Sequence, residues 1–110
     1  MKHADCVENC LRCYEICFHT AMTHCLSQGG KHTEPQHFQL MMNCAKICET
    51  SASFQLSGSE FSADLCELCE DICLACAKSC EEIGGMDECV SACLACADSC
   101  RAMAAQLIVV

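Results

Sequence analysis

Along this chain, the positions that a helical bundle usually gives to leucine recur every three or four residues, and cysteine holds most of them. The clearest stretch is Cys66 to Cys80, C-E-L-C-E-D-I-C-L-A-C-A-K-S-C, with cysteines at 66, 69, 73, 76 and 80. Residues three and four apart share a helix face. The five thiols therefore form one stripe, rising roughly 20 Å at about 1.5 Å per residue. Charged and polar residues hold half of the ten positions between them.

The same period recurs along the chain. A first helix is predicted over residues 4–27. Its stripe is Cys6, Cys10, Cys13 and Cys17, continued through Ala21 to His24 and Cys25, and Gly29-Gly30 ends it. A second helix is predicted over 35–55, with Thr33 as N-cap, Pro35 in the first turn and Gln36 completing a capping box. It holds only Cys44 and Cys48, but the steps of three and four extend back to Met41 and His37. A third helix, over 60–83, carries the Cys66–Cys80 stripe. Ser57 or Ser59 is its N-cap, and Gly84-Gly85 ends it. A fourth, over 87–107, carries Cys89, Cys93, Cys96 and Cys100, with Met86 and Met103 extending the stripe at either end.

Three of the segments share C-x3-C-L-x-C-x3-C: C-V-E-N-C-L-R-C-Y-E-I-C, C-E-D-I-C-L-A-C-A-K-S-C and C-V-S-A-C-L-A-C-A-D-S-C. Four helices of similar length with short connections predict one all-α domain over 1–110, an antiparallel up-down-up-down bundle with a cysteine-lined core. One end would then gather His24, Cys25, His37, Met41, Cys80 and Met86, and the other His3, Cys6, Cys48, Cys66, Cys100 and Met103. His19 and His32 lie off the stripes and are expected in solvent, whereas Met22 and Met42 are expected in packing. A second apolar row of Val7, Leu11, Tyr14, Phe18 and Met22, with Leu65, Leu68 and Ile72, would close the sides of the bundle or meet another subunit. The last four residues, 107–110, would join either surface.

Composition sharpens this picture. Hydrophobic residues make up 53% of the 110, but 16 of them are cysteine. Without those the share is about 38%, low for a packed domain, so the thiols must occupy the interior. Fifteen acids against six bases give a net charge of −9. With no Lys/Arg cluster, nucleic acid and anionic membranes are poor partners. No run of 18 apolar residues offers a membrane span. The N-terminus M-K-H-A-D-C-V-E-N-C shows no apolar leader core or cleavage site. The reducing cytosol is thus the expected compartment, where dense cysteine points to metal more than to disulfides.

Thiolates select Cu(I), Zn(II) or iron–sulfur clusters. Zinc and iron–sulfur sites usually draw cysteines from turns converging on one point, whereas these cysteines are spread along helices. Replacing a thiol proton by Cu(I) leaves the interior charge unchanged. Four thiolates around Zn(II) leave −2 at each site, and repeated burial of that charge is costly. Thioether is a good Cu(I) ligand and a poor zinc ligand, which gives Met41, Met86 and Met103 a place beside His24, His37 and the 16 cysteines. The expected function is non-enzymatic Cu(I) storage, on the order of one ion per thiol.

Other readings stay open on the residues alone. Cys73-x2-Cys76-x16-Cys93-x2-Cys96 fits a two-knuckle zinc spacing, so a zinc or general thiol-metal buffer is the main rival. An iron–sulfur carrier and a disulfide-stapled domain are the others.

Nearly the whole chain resembles the cytosolic branch of the four-helix-bundle copper storage proteins, most specifically over 61–80 and 89–103. The resemblance implies a thiolate-lined bundle holding many Cu(I) ions, with entry at a His/Met-bearing end. It also implies a role in storage or detoxification and a homo-oligomer, typically a tetramer. A copper chaperone or a low-molecular-weight thiol is the expected donor.

Overall fold

The four cysteine stripes meet on one axis. In the computed structural model, which describes residues 4–108, the first helix begins as α-helix Ala4–Thr20, passes through a π-helical turn Ala21–Cys25 and ends with the α-turn Leu26–Gln28. A short 3-10 turn, Gly30–Thr33, leads to the second helix, Pro35–Leu56. The third helix is Ser62–Ile83 and the fourth Asp87–Ile108. Each packs against its sequence neighbours, and the fourth closes the square against the first. The bundle measures 47 × 20 × 19 Å.

Neighbouring helices run antiparallel. Cys6 faces Cys100 and Cys17 faces Cys89, so numbers rise along the first helix as they fall along the fourth. Likewise Ser51 faces Cys66 across the second and third helices, and Met41 faces Cys80. All 16 cysteines are buried, none more than 3% exposed. The rest of the core is mainly alanine, with Val7, Met41, Met86 and Met103. Aliphatic bulk is largely external. Leu11, Phe18, Met22, Leu68, Leu74 and Leu94 are exposed, so only Val7 of the expected second row is fully buried, and Met22 is a surface residue. Met42 does pack against the core.

The π turn solves a register problem. A stripe of 6, 10, 13, 17 and 21 reaches its next inward position between 24 and 25. The turn's wider i to i+5 spacing absorbs one extra residue. Cys25 then faces the axis with no exposure, while His24 is carried to the side and only half-buried.

The expected caps differ in detail. Thr33 does not cap the second helix; its hydroxyl donates to the Gly30 carbonyl at 3.2 Å within the 3-10 turn. Pro35 forces the residue before it into extended backbone, so Glu34 (φ −61°, ψ 138°) takes the cap position and no capping box forms. The third helix starts two residues later than expected. Ser59 accepts a bond from the Phe61 N–H at 3.0 Å, forming the turn that precedes it, and Ser57 closes the second helix. Gly29 and Gly84, at φ 67° and 88°, occupy the left-handed region where the first and third helices stop.

Candidate metal centre

Cysteine or methionine holds most inward positions of each helix, so the four stripes interleave along one axis, with Ala21, Ser51 and Gln55 at the inward positions that lack sulfur. Starting from the end where Gly29 and Gly84 lie, Cys25 Sγ is 3.7 Å from Met86 Sδ and 3.8 Å from His37 Nε2. Met41 Sδ lies 3.3 Å from Cys80 and 3.6 Å from Cys76. Cys17 follows, 3.1 Å from Cys89 and 3.5 Å from Cys93. Cys13, Cys44 and Cys73 carry the column inward to Cys48, which meets Cys69 and Cys96 at 3.8 and 3.7 Å. Cys10 touches Cys96 and Cys100, and Cys100 touches Cys6.

Groups of thiols close enough to share one ion overlap along this column. Cys13, Cys44, Cys48 and Cys73 form one, Cys13, Cys17, Cys44 and Cys93 another, and Cys48, Cys69, Cys73 and Cys96 a third. Sulfurs within each group lie within 4.8 Å of one another. Because Cys13, Cys44, Cys48 and Cys73 each belong to two groups, discrete four-thiolate sites cannot all be filled together. Bridging thiolates shared by neighbouring ions suit the arrangement better. The two-knuckle zinc pattern is not assembled: Cys73 meets Cys44 and Cys48, Cys76 meets Met41, Cys93 meets Cys13 and Cys17, and Cys96 meets Cys10, Cys48 and Cys69. All 16 cysteines are separate thiols.

The electrostatics follow from burial and mutual hydrogen bonding. Burial, reinforced by the neighbouring Cys89 and Cys76, pushes the Cys25 thiol up. Deeper in the column, the contact between Cys17 and Cys13 works in opposite directions on its partners. It holds Cys13 down and Cys17 up, so the two thiols titrate as a coupled pair. Burial lowers the pKa of His37, which favours a neutral ring. That ring is oriented by its other nitrogen, with Nδ1 2.8 Å from Ser79 Oγ.

The structure places most of the expected residues as the stripes predict, with three differences. His24 does not reach the thiols directly. Its ring stacks edge-on against His32 at 5.0 Å, and His32 in turn against His37 at 6.3 Å. His32 is therefore not simply solvated: its Nδ1 is buried without a hydrogen-bond partner among the described residues. Cys48 sits in the middle of the column rather than at the far end, because the second-helix stripe continues past it. Ser51 and Gln55 occupy the next two inward positions, with Gln55 donating to Ser51 Oγ at 3.2 Å and to Cys6 Sγ at 3.5 Å. Extending the steps of three and four forward from Cys48, as well as backward, would have found both. Met103 is buried at the far end, and His3 falls outside the described residues.

A helical bundle whose axis is lined by buried thiols and thioethers defines a class, the soft-metal container. Comparison with known proteins gives the family. The model of the Csp family, copper storage protein, matches residues 1–105, and the chain belongs to that family. Its fold is similar to the crystal structure of the Nmul_A1745 protein from Nitrosospira multiformis, with TM-score 0.93 and 55% identity, over 94% of this chain and 95% of that one. It is also similar to Cu(I)-bound copper storage protein BsCsp3, with TM-score 0.87 and 33% identity, over 94% of this chain and 99% of that one. Among curated proteins, the uncharacterized cysteine-rich protein YhjQ of Bacillus subtilis (strain 168) is 35% identical over 75 residues, 68% of each chain. Among the described residues, no helix is long and apolar enough to cross a membrane.

Proposed function

We propose that this chain stores Cu(I) within its bundle and acts as a reservoir rather than a catalyst. The observation that carries the reading is the burial of all 16 thiols about one axis: twelve are linked by sulfur–sulfur contacts of 3.1–4.0 Å, Cys66 lies within 4.8 Å of Cys6 and Cys100, Cys76 and Cys80 meet Met41 Sδ, and Cys25 meets Met86 Sδ. Every cysteine from Cys6 to Cys100 is assigned to copper, at about one ion per thiol by the charge-neutral exchange of a proton for Cu(I). His37, Met41 and Met86 serve as ligands at the mouth beside Cys25 and Cys80. His24 belongs to the outer approach and Met103 to the far end. Residues 1–110 act as one storage domain.

The Cu(I)-bound relative supports the choice of ion, and the overlapping thiol groups support shared, low-coordinate sites. We assign the protein to the cytosol, where thiols stay reduced. Its donor would be a copper chaperone or a small thiol. The exposed Leu68, Leu74 and Leu94 support assembly of the chain with copies of itself; the tetramer is the state that the family resemblance implies. Anaerobic titration with Cu(I) and with Zn(II), each against a competing chelator, tests the reading. Tight uptake of about one Cu(I) per thiol is expected. Saturation by about four divalent ions, with weak Cu(I) binding, would instead establish a zinc buffer.

A further inference from the structure

Beside the mouth, the second and third helices leave an open groove of about 480 Å³. Its walls carry Lys31 and Glu34 from the connection between the first two helices, and Lys78, Ser79 and Glu82 from the end of the third. His37 forms part of its lining. What marks this groove is that charges of both signs face one concavity. The chain has only six Lys and Arg, and of these Lys46 and Arg101 are engaged by Glu49, Glu70 and Asp98. Among the described residues, Lys31, Lys78, Glu34 and Glu82 make no ion pair within 4 Å. Two ammonium groups and two carboxylates thus line one concave surface with their charges uncommitted.

That combination selects its occupant. A simple anion entering the groove would meet two carboxylates, and a bare cation would meet two ammonium groups. A zwitterion carrying both an ammonium and a carboxylate can satisfy walls of both signs. The volume falls in the range of small-ligand clefts, roughly 300–1,000 Å³, which suits an amino acid or short peptide. His37 links this groove to the column. Its Nδ1 meets Ser79 Oγ at 2.8 Å, while its Nε2 faces Cys25 Sγ at 3.8 Å. A soft atom held in the groove is therefore one imidazole ring away from the outermost buried thiol.

We propose that the groove binds a small zwitterionic thiol, of the amino-acid or short-peptide class, as its Cu(I) complex, and that this is where copper is handed to the mouth. The proposal rests on the storage reading above, because Cu(I) in transit needs a soft ligand. In the exchange, the bond between copper and the donor sulfur breaks and a bond to Cys25 Sγ forms. The proton leaving the Cys25 thiol ends on the released donor thiol, and copper remains Cu(I) throughout. Lys31 and Lys78 hold the donor carboxylates, and Glu34 and Glu82 its ammonium group.

Two measurements test this. S-methylglutathione, a tripeptide whose capped sulfur cannot act as a thiolate, is titrated into the copper-free protein and followed by amide NMR. Saturable shifts centred on Lys31, Glu34, Lys78 and Ser79 are expected. The double variant Lys31→Ala/Lys78→Ala, altered only at exposed side chains, should weaken binding by at least about tenfold. Copper loading is then timed from two sources, Cu(I)–glutathione and Cu(I) in acetonitrile. The double variant should load about tenfold more slowly from the glutathione complex and at the parent rate from acetonitrile. Absence of saturable shifts, or equal rates for parent and variant from glutathione, would overturn the groove; so would equal slowing from both sources. A failure of the storage reading is a separate result, namely that neither protein takes up copper from acetonitrile.

Discussion

Met41 Sδ lies 3.3 Å from Cys80 Sγ and is fully buried, one step inside the mouth. A thioether carries no proton to displace and binds Cu(I) weakly enough to release it. Its place between the outer Cys25 level and the inner thiols would make it a relay on the proposed loading path. Leucine for methionine conserves volume and usually costs less than about 1.5 kcal/mol. Met41→Leu should therefore fold normally and keep nearly its full copper capacity, while loading several-fold more slowly. Stopped-flow absorbance of the growing Cu(I)–thiolate bands would show this. An unchanged rate would remove Met41 from the path.

Ser51 interrupts the column where the second-helix stripe calls for a thiol. It is fully buried, with its Oγ 3.8 Å from both Cys10 and Cys66. Cysteine is nearly the same shape, so Ser51→Cys should extend the column without strain. Saturation in the anaerobic titration should rise by about one Cu(I) per chain. An unchanged endpoint would mean that this end of the column does not fill.

The bond between Ser79 and His37 joins the third helix to the second. Ser79→Ala leaves the buried Nδ1 of His37 without a protein partner, a loss of roughly 1–3 kcal/mol. The copper-free protein should unfold at a lower denaturant midpoint, and Ser79→Thr, which keeps the hydroxyl, should recover most of the loss. If alanine and threonine behave alike, the bond contributes nothing to stability.

The pH dependence of the copper-free fold has two limbs. Burial holds the His37 pKa below its ordinary 6.5. The unfolded chain therefore binds the proton more readily, and this contribution is present above pH 6.5 and lost as pH falls through the folded value. Burial, with help from Cys89 and Cys76, raises Cys25 above its ordinary 9.0. That contribution is present below pH 9.0 and lost as pH rises through the folded value. Thermal melts should thus peak between these limits, and His37→Gln should flatten the acid limb. Loading with Cu(I), which replaces the Cys25 proton, should flatten the alkaline limb. Melts insensitive to pH on either side would contradict the assignment.

Much of this architecture is written in the spacing of one residue type. The steps of three and four along Cys66–Cys80 fix a helix face, and their repetition in three other segments fixes four walls and hence an axis. His37 and Met41 are legible by the same extrapolation. What the spacing leaves undetermined is local. It offers both His24 and Cys25 as the inward residue, and only the π turn Ala21–Cys25 decides between them. Thr33 carries the signature of an N-cap, but the conformational demand of Pro35 on Glu34 moves the cap by one residue. Ser79 and His32 lie off the stripes, and their roles depend on side-chain contacts across helices that periodicity does not encode. The groove beside the mouth likewise brings together Lys31 and Lys78, which are 47 positions apart in sequence.

The most direct test of copper storage in the column is anomalous X-ray scattering at the copper edge from crystals of the anaerobically loaded protein. The peaks should form a continuous file along the bundle axis, from Cys25, His37 and Met41 at the mouth to Cys6 and Cys100 at the far end. Each should lie within bonding distance of two or more sulfurs, and about one copper per thiol is expected in all. Peaks confined to the acidic outer surface, with an empty sulfur column, would contradict it.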